Sequence, residues 1–236
     1  MKILAIESAT MVASVALISD ETLLAEYTVN HKKTHSQTLL SMIDEIVSMT
    51  EMPLEDLDAI AVSGGPGSFT GLRIGSATGK GLGLALDKPL IHIPTLEAMA
   101  YQFCGTDYVI CPMMDARRQQ VYSGIYKCDK DIEVLYDQSI EQIEDVIERL
   151  NNMGSKVILL GDGAQVNKKY IMDNLKVEYL FAPAHMNRNK ASSVAGLALK
   201  YFAKGKIENA REHLPNYLRA SQAERELEEK MSNEAK

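Results

Sequence analysis

The sequence predicts an α/β protein built from two similarly ordered halves. Short apolar runs rich in Ile, Leu and Val alternate with stretches whose apolar residues recur every three or four positions, the respective marks of buried strands and amphipathic helices. Each half opens with three strand-like runs before its first helical stretch, and the order of elements then repeats. The 236 residues are enough for one large domain or two small ones, each with its own core.

The elements follow in order. Residues 2–7 form an apolar strand, and 12–18 and 22–29 are strands joined by the turn Ser19-Asp20-Glu21. Residues 35–49 are helical, because Leu39, Leu40, Met42, Ile43, Ile46 and Val47 fall at helical spacing. A buried-type strand at 58–63, a helix at 71–86, a strand at 90–93 and a helix at 95–103 complete the first half. The order restarts after residues 104–108 with strands at 108–114, 120–126 and 132–136. A helix over 139–150 takes Ser139 as its N-cap. Then come a strand at 156–160, a helix at 164–173, a strand at 177–180 and a helix at 192–204. A final charge-dense helix, 217–231, packs back across both halves. The division is therefore 1–104, 105–214 and 215–236, with βββαβαβα order in each of the first two parts. A duplicated fold of this order, with its ligand in the cleft between halves, is known from the sugar-kinase, heat-shock-protein and actin (ASKHA) group. No residue-level repeat supports the duplication, so this is an analogy of fold.

Composition narrows the function. With 25 Lys plus Arg against 32 Asp plus Glu, the formal net charge is -7, and 46% of residues are apolar. That is ordinary for a globular protein. It lacks the basic footprint with which a protein grips nucleic acid alone. The longest one-signed stretch, 127–151, holds eight acids and three bases and reads as a solvated face. No apolar run reaches the ~18 residues of a membrane span, and the opening Met1-Lys2-Ile3-Leu4 does not resemble a signal peptide. Cys104, Cys111 and Cys128 are odd in number and contain no C-x-x-C, so neither a disulfide frame nor a zinc knuckle is indicated. A cytoplasmic location is expected.

The most informative motif runs from Ser63 to Gly71 as SGGPGSFTG, between a strand and a helix. Gly65, Gly67 and Ser68 there expose backbone N–H groups at a positive helix end, which suits an anion. The alternative is a tight turn whose glycines only relieve the backbone. Neither the P-loop nor the dinucleotide glycine pattern is matched. Glu7, Ser8 and Thr10, in the turn between the first two strands, and Gly161 and Asp162, in the second half, complete a candidate nucleotide or anion site. Gly71, Gly75, Gly79 and Gly83 are spaced four apart and share one helix face. Interior glycines cost a helix about 1 kcal/mol each, and close approach of another backbone is what offsets it. That backbone belongs either to the same domain or to another chain. The broad apolar face of 35–49 points weakly to another chain, which makes Leu39, Leu40, Ile43, Val47 and the four glycines candidate partner-binding residues.

Other chemistry is sparse. His31 and His35 have H-x-x-x-H spacing but no third ligand nearby, and His92, His185 and His213 read as isolated structural residues. No Ser-His-Asp or Cys-His pattern stands out, and Ser68 lacks the glycine frame of a nucleophile elbow. No catalytic residue and no metal ligand is assigned.

Together these segments carry a family resemblance over essentially the whole chain. SGGPGSFTGLRIG at 63–75, Ile3–Thr10, DARRQQVY at 115–122, Gly161–Ala164 and PNYLRASQAEREL at 215–227 resemble the bacterial TsaB (YeaZ) family. The resemblance implies a duplicated ASKHA fold and a pseudo-enzyme in the synthesis of N6-threonylcarbamoyladenosine in tRNA. It implies that residues 35–49 and 71–86 pair with the transferase TsaD as a four-helix bundle, or pair two copies as a homodimer. TsaE would be a further partner, and tRNA would be met only through the complex. No intrinsic cofactor is implied, and a nucleotide at the partner interface is left open. TsaD binds its metal through H-x-x-x-H on a helix whose counterpart here has Thr95 and Met99. Glu7 stands where the family has Asp, which weighs against independent ATP hydrolysis. The alternative function is an ASKHA-type ATPase or kinase acting on its own.

Overall fold

The computed structural model describes residues 1–31 and 34–219, and within them the order of elements repeats between the halves. The first half contains β1 (Lys2–Glu7), β2 (Ala13–Ser19), β3 (Thr22–Val29), α1 (His35–Thr50), a 3₁₀ turn at Leu54–Asp56, β4 (Ala59–Gly65), α2 (Phe69–Leu86), β5 (Leu90–Pro94) and α3 (Thr95–Tyr101). The second contains β6 (Val109–Asp115), β7 (Gln120–Cys128), β8 (Ile132–Gln142), α4 (Ile143–Met153), β9 (Val157–Leu160), α5 (Asp162–Val166), α6 (Lys168–Asn174), β10 (Tyr179–Phe181) and α7 (Ala191–Ala203). The sheets run β3-β2-β1-β4-β5 and β10-β9-β6-β7-β8, the same strand order met from opposite ends. In each, the first strand pairs antiparallel with the second and parallel with the fourth. This is the duplicated ASKHA order that the sequence predicts.

Burial explains the layering. β1 is buried on both faces, so it is covered from both sides. Leu4, Ile6, Val15 and Val62 meet α1 through Leu39, Met42, Ile43 and Ile46. Ile3, Ala5, Ala61 and Ile93 meet α7 through Val194, Ala195 and Ala198. Thus α7, which sequence order puts in the second half, packs on the first sheet. In turn, α3 sends Leu96, Met99 and Ala100 into the core with Ile110, Met114 and Tyr126 of the second sheet.

Several expectations change. The glycine face of α2 points inward: a Cβ at Gly71 or Gly75 would collide with Ser8, at Gly79 with Val62 and at Gly83 with Leu90. The small residues let α2 lie directly on β1, β4 and β5 of its own half, so Gly71, Gly75, Gly79 and Gly83 are not exposed to a partner. Leu39 and Ile43 are likewise core residues, 1% and 3% exposed. Ser139 is no helix cap. It pairs with Ser123 in β8, and the helix begins only at Ile143. Backbone partners along β7 outweigh the local capping preference of one serine. The helix expected over 164–173 breaks at Asn167 into α5 and α6. In the helix expected over 217–231, Tyr217–Arg219 are not helical and the remainder lies outside the described residues. Cys104 and Cys128 form a disulfide, with Cα atoms 4.6 Å apart, while Cys111 is buried and free. Gly105 donates to the Cys128 carbonyl at 2.8 Å, holding those two backbones side by side.

Candidate functional site

The halves meet at a cleft of about 670 Å³, lined by Thr10, Met11, the loop Pro66–Thr70, Asp115–Arg117, Asp162 and the segment Asn216–Arg219. It lies beyond the carboxyl ends of β1, β4 and β6, where ligands of open α/β sheets sit. The loop is held from both sides. Ser68 N–H donates to the Ala9 carbonyl at 2.7 Å, and Ser68 Oγ caps α2 by accepting from Gly71 N–H at 3.3 Å. The N–H groups of Ser68 and Gly71 are therefore already used within the chain.

Of the candidate anion residues, Thr10, Gly67, Ser68 and Asp162 line the cleft, whereas Glu7, Ser8, Gly65 and Gly161 do not. Glu7 is wholly buried. It accepts hydrogen bonds from Ser63 Oγ, from Asn189 Nδ2 and, at 3.1 Å, from Thr10 N–H. Burial pushes its carboxyl up to about 7, although those donors pull the other way. A carboxyl so enclosed acts as an anchor joining β1, β4 and the lead-in to α7. Ser8 Oγ donates to the Gly71 carbonyl at 2.9 Å. Gly161 N–H donates to Asn187 Oδ1 at 3.0 Å. Asp162 accepts from Asp115 N–H at 3.2 Å and pairs with Arg188 at 3.5 Å.

A strap crosses the cleft, not helical where the sequence reading expected a helix packing back across both halves. Asn216 N–H donates to the Gly64 carbonyl at 2.6 Å, and Tyr217 packs its ring 4.6 Å from Phe69. Arg73 stacks over Phe69 at 3.9 Å and reaches the Tyr217 hydroxyl at 3.4 Å. On the far side, Arg219 Nη1 donates to the Ala116 carbonyl at 2.5 Å. The strap thus touches both halves.

Where the strap leaves the first sheet, His92, Glu208 and His213 come together, although sequence reading left both histidines isolated. His213 is fully buried, with Nδ1 2.6 Å from Glu208 Oε1 and Nε2 2.9 Å from Ser76 Oγ. Ser76–His213–Glu208 has the connectivity of a hydrolase triad. However, Ser76 lies on the inner face of α2, 4% exposed and away from the cleft, so no substrate reaches its hydroxyl. His31 and His35 make no pair: His35 Nε2 is bound to the Thr10 carbonyl at 2.9 Å, and His31 is exposed. Thr95 and Met99 are buried, and Thr95 Oγ1 accepts from Gly65 N–H at 3.2 Å, so this position offers no metal-binding pair.

The outward faces of α1 and α2 differ from the inward ones. Leu40 is 62% exposed, Met49 75% and Leu84 50%, and Ala77 and Gly81 are exposed between them. Val47 is half-buried against the core.

The comparisons with known proteins agree with this architecture. The family model described as "TsaD: tRNA N6-adenosine threonylcarbamoyltransferase" matches residues 22–227. The chain is 33% identical over 229 residues to the tRNA threonylcarbamoyladenosine biosynthesis protein TsaB of Bacillus subtilis, covering 95% of this chain and 96% of the relative. It is 31% identical to the Escherichia coli protein of the same name, covering 96% and 98%. Among solved structures, a Pseudomonas aeruginosa protein described as similar to peptidase YEAZ superposes with a TM-score of 0.78 at 25% identity, covering 92% of this chain and 99% of that one. A polyphosphate/ATP-glucomannokinase from Arthrobacter matches at a TM-score of 0.51 and 12% identity, over 86% and 99% of the two chains, a likeness of fold alone. Carried by full-length identity and by the same duplicated sheets, the conclusion is that this chain belongs to the TsaB (YeaZ) family, within the reach of the TsaD family model.

Proposed function

We propose that the chain serves in the formation of N6-threonylcarbamoyladenosine in tRNA as a subunit without chemistry of its own, binding and activating a TsaD-type transferase together with TsaE. The family relationship supports the pathway. The single structural observation that carries the non-catalytic reading is the enclosure of Glu7. The one carboxylate of the first turn is fully buried and tied to Ser63, Asn189 and Thr10. The outward faces of α1 and α2, with Leu40, Ala77, Gly81 and Leu84, are the proposed contact with TsaD, and the same faces pair two copies when TsaD is absent. The net charge of -7 fits a protein that meets tRNA only through its complex in the cytoplasm. Any nucleotide is proposed to sit at the partner interface, with no intrinsic cofactor. Among the described residues no helix is long and apolar enough to cross a membrane.

Depletion of the protein followed by mass spectrometry of tRNA nucleosides tests this reading. Loss of threonylcarbamoyladenosine is expected, and an unchanged level overturns it. The rival, an ASKHA-type ATPase or kinase, requires magnesium-dependent ATP turnover by the purified chain that disappears in Glu7→Ala.

A further inference from the structure

Three side chains from distant parts of the sequence converge beneath the strap. His92 stands on β5. Glu208 belongs to a segment that forms an antiparallel bridge with Leu90 of the same strand, with Leu90 N–H to the Glu208 carbonyl at 3.0 Å and Glu208 N–H to the Leu90 carbonyl at 2.9 Å. His213 ends that segment, its ring 5.7 Å from the His92 ring. One ligand atom from each of the three lies within 4.8 Å of the other two. We propose that His92, Glu208 and His213 form a binding site for a transition-metal ion of the zinc type, which clips the C-terminal strap to the first sheet.

The donor set fits that class of ion. Two imidazoles and one carboxylate, with solvent in the fourth position, make a common tetrahedral zinc environment. Ligand distances of about 2.0–2.1 Å place neighbouring donor atoms about 3.3 Å apart. The 2.6 Å Glu208–His213 contact must therefore open slightly and the widest separation must close. Glu208 and His92 are only partly buried, so they can turn and admit the ion, while His213 is held. The other nitrogen of His213 faces Ser76 Oγ at 2.9 Å, the kind of outer hydrogen bond that fixes the tautomer of a ligating histidine. With the ion bound, Nε2–H donates to Ser76 and Nδ1 carries the lone pair, so that the ion stands where the Nδ1–Glu208 hydrogen bond stood. Gly64 is part of the same construction, because a Cβ there would fall within the His92 ring. Lys80 faces the segment, its Nζ donating to the carbonyls of Arg211 and His213, both at 3.0 Å, and so spends its charge on the backbone.

The position gives the site a consequence. His213 is three residues before Asn216 and six before Arg219, the residues that tie the strap to Gly64 and Ala116. A metal joining His213 to β5 fixes the start of the strap and holds it over the cleft. Anything that needs the cleft open must then work against the metal, and binding at the two places is reciprocally linked.

The test uses the full chain, stripped with a chelator and titrated with Co²⁺ and then Zn²⁺. The expected result is one equivalent of Co²⁺ with the visible spectrum of a tetrahedral nitrogen–oxygen site, displaced by Zn²⁺. Zn²⁺ should also raise the Tm and slow amide exchange at 213–219. His92→Gln and Glu208→Gln, both at partly exposed positions, should weaken binding by at least about tenfold with metal-free Tm retained. Ser76→Ala should weaken it by about tenfold to a hundredfold. Absence of saturable binding overturns the proposal, and so does stoichiometric binding that both His92→Gln and Glu208→Gln leave unchanged. If the ion binds without altering exchange at 213–219, the clip is overturned.

Discussion

A Cβ on Gly75 would land on Ser8 Oγ, the hydroxyl that donates to the Gly71 carbonyl one turn earlier in α2. The glycines of this helix are thus a packing solution for its own sheet. Gly75→Ala is expected to destabilise the chain by about 1–3 kcal/mol, the range for inserting a methyl group into a filled space. Gly81 points outward with nothing within 4 Å of a Cβ there. Gly81→Ala should therefore stabilise by about 0.5–1 kcal/mol through helix propensity. At about 2–4 °C per kcal/mol for a chain of this size, calorimetry separates the two, and Tm shifts of the same sign for both variants would contradict the packing account.

The enclosure of Glu7 makes stability depend on pH in a defined window. Its native carboxyl titrates near 7, and its ordinary value is 4.5. Between those values the native chain holds a proton that the unfolded chain has released. The contribution is complete below about 4.5, falls as pH rises through 7 and is constant above. The slope reaches at most about 1.4 kcal/mol per pH unit. Glu7→Gln removes this proton, so the stability difference between wild type and variant, from urea unfolding at pH 5, 6, 7 and 8, should shift in favour of the variant as pH rises. Parallel profiles would show that Glu7 does not titrate in this window.

How much of this was legible depends on where the partners of each group lie in sequence. β1 was legible because a strand covered on both faces is a continuous apolar run. The spacing of Gly71, Gly75, Gly79 and Gly83 showed that they share a face, but only Ser8, Val62 and Leu90 decide that the face points inward. Ser139 carries the local signature of a helix cap, but its partner, Ser123 of β7, lies 16 positions away, beyond the reach of a local pattern. His92 and His213 looked isolated since 121 positions separate them, and only the bridge between Leu90 and Glu208 brings them together. Asn189 reaches Glu7 across 182 positions, so no local pattern announced that Glu7 was already engaged.

The strap should loosen independently of the core. Tyr217→Ala removes the ring packed on Phe69, a contribution of about 0.5–1.5 kcal/mol, and Arg219→Ala removes the bond to Ala116. In either variant the Asn216 amide, bound to the Gly64 carbonyl, should exchange at least about tenfold faster while amides of β1 and β4 keep their protection. Uniform acceleration across β1, β4 and Asn216 would mean that the strap is part of one cooperative unit with the sheet.

The exposed face of α1 and α2 gives the sharpest test of assembly. Leu40 and Leu84 are 62% and 50% exposed, so Leu40→Asp and Leu84→Asp remove little apolar burial within the chain and should each change its stability by less than about 1 kcal/mol. An aspartate buried in a helix–helix interface, by contrast, either carries an unpaired charge out of water or must take up a proton, and interface substitutions of that kind cost about 2 kcal/mol or more. Both variants should therefore remain folded by circular dichroism, lose the homodimer in analytical ultracentrifugation, and bind TsaD at least about thirtyfold more weakly. Leu23→Asp on β3, also exposed at 45%, serves as the control and should alter neither association. Wild-type affinity for TsaD in both Leu40→Asp and Leu84→Asp would remove these helices from the interface.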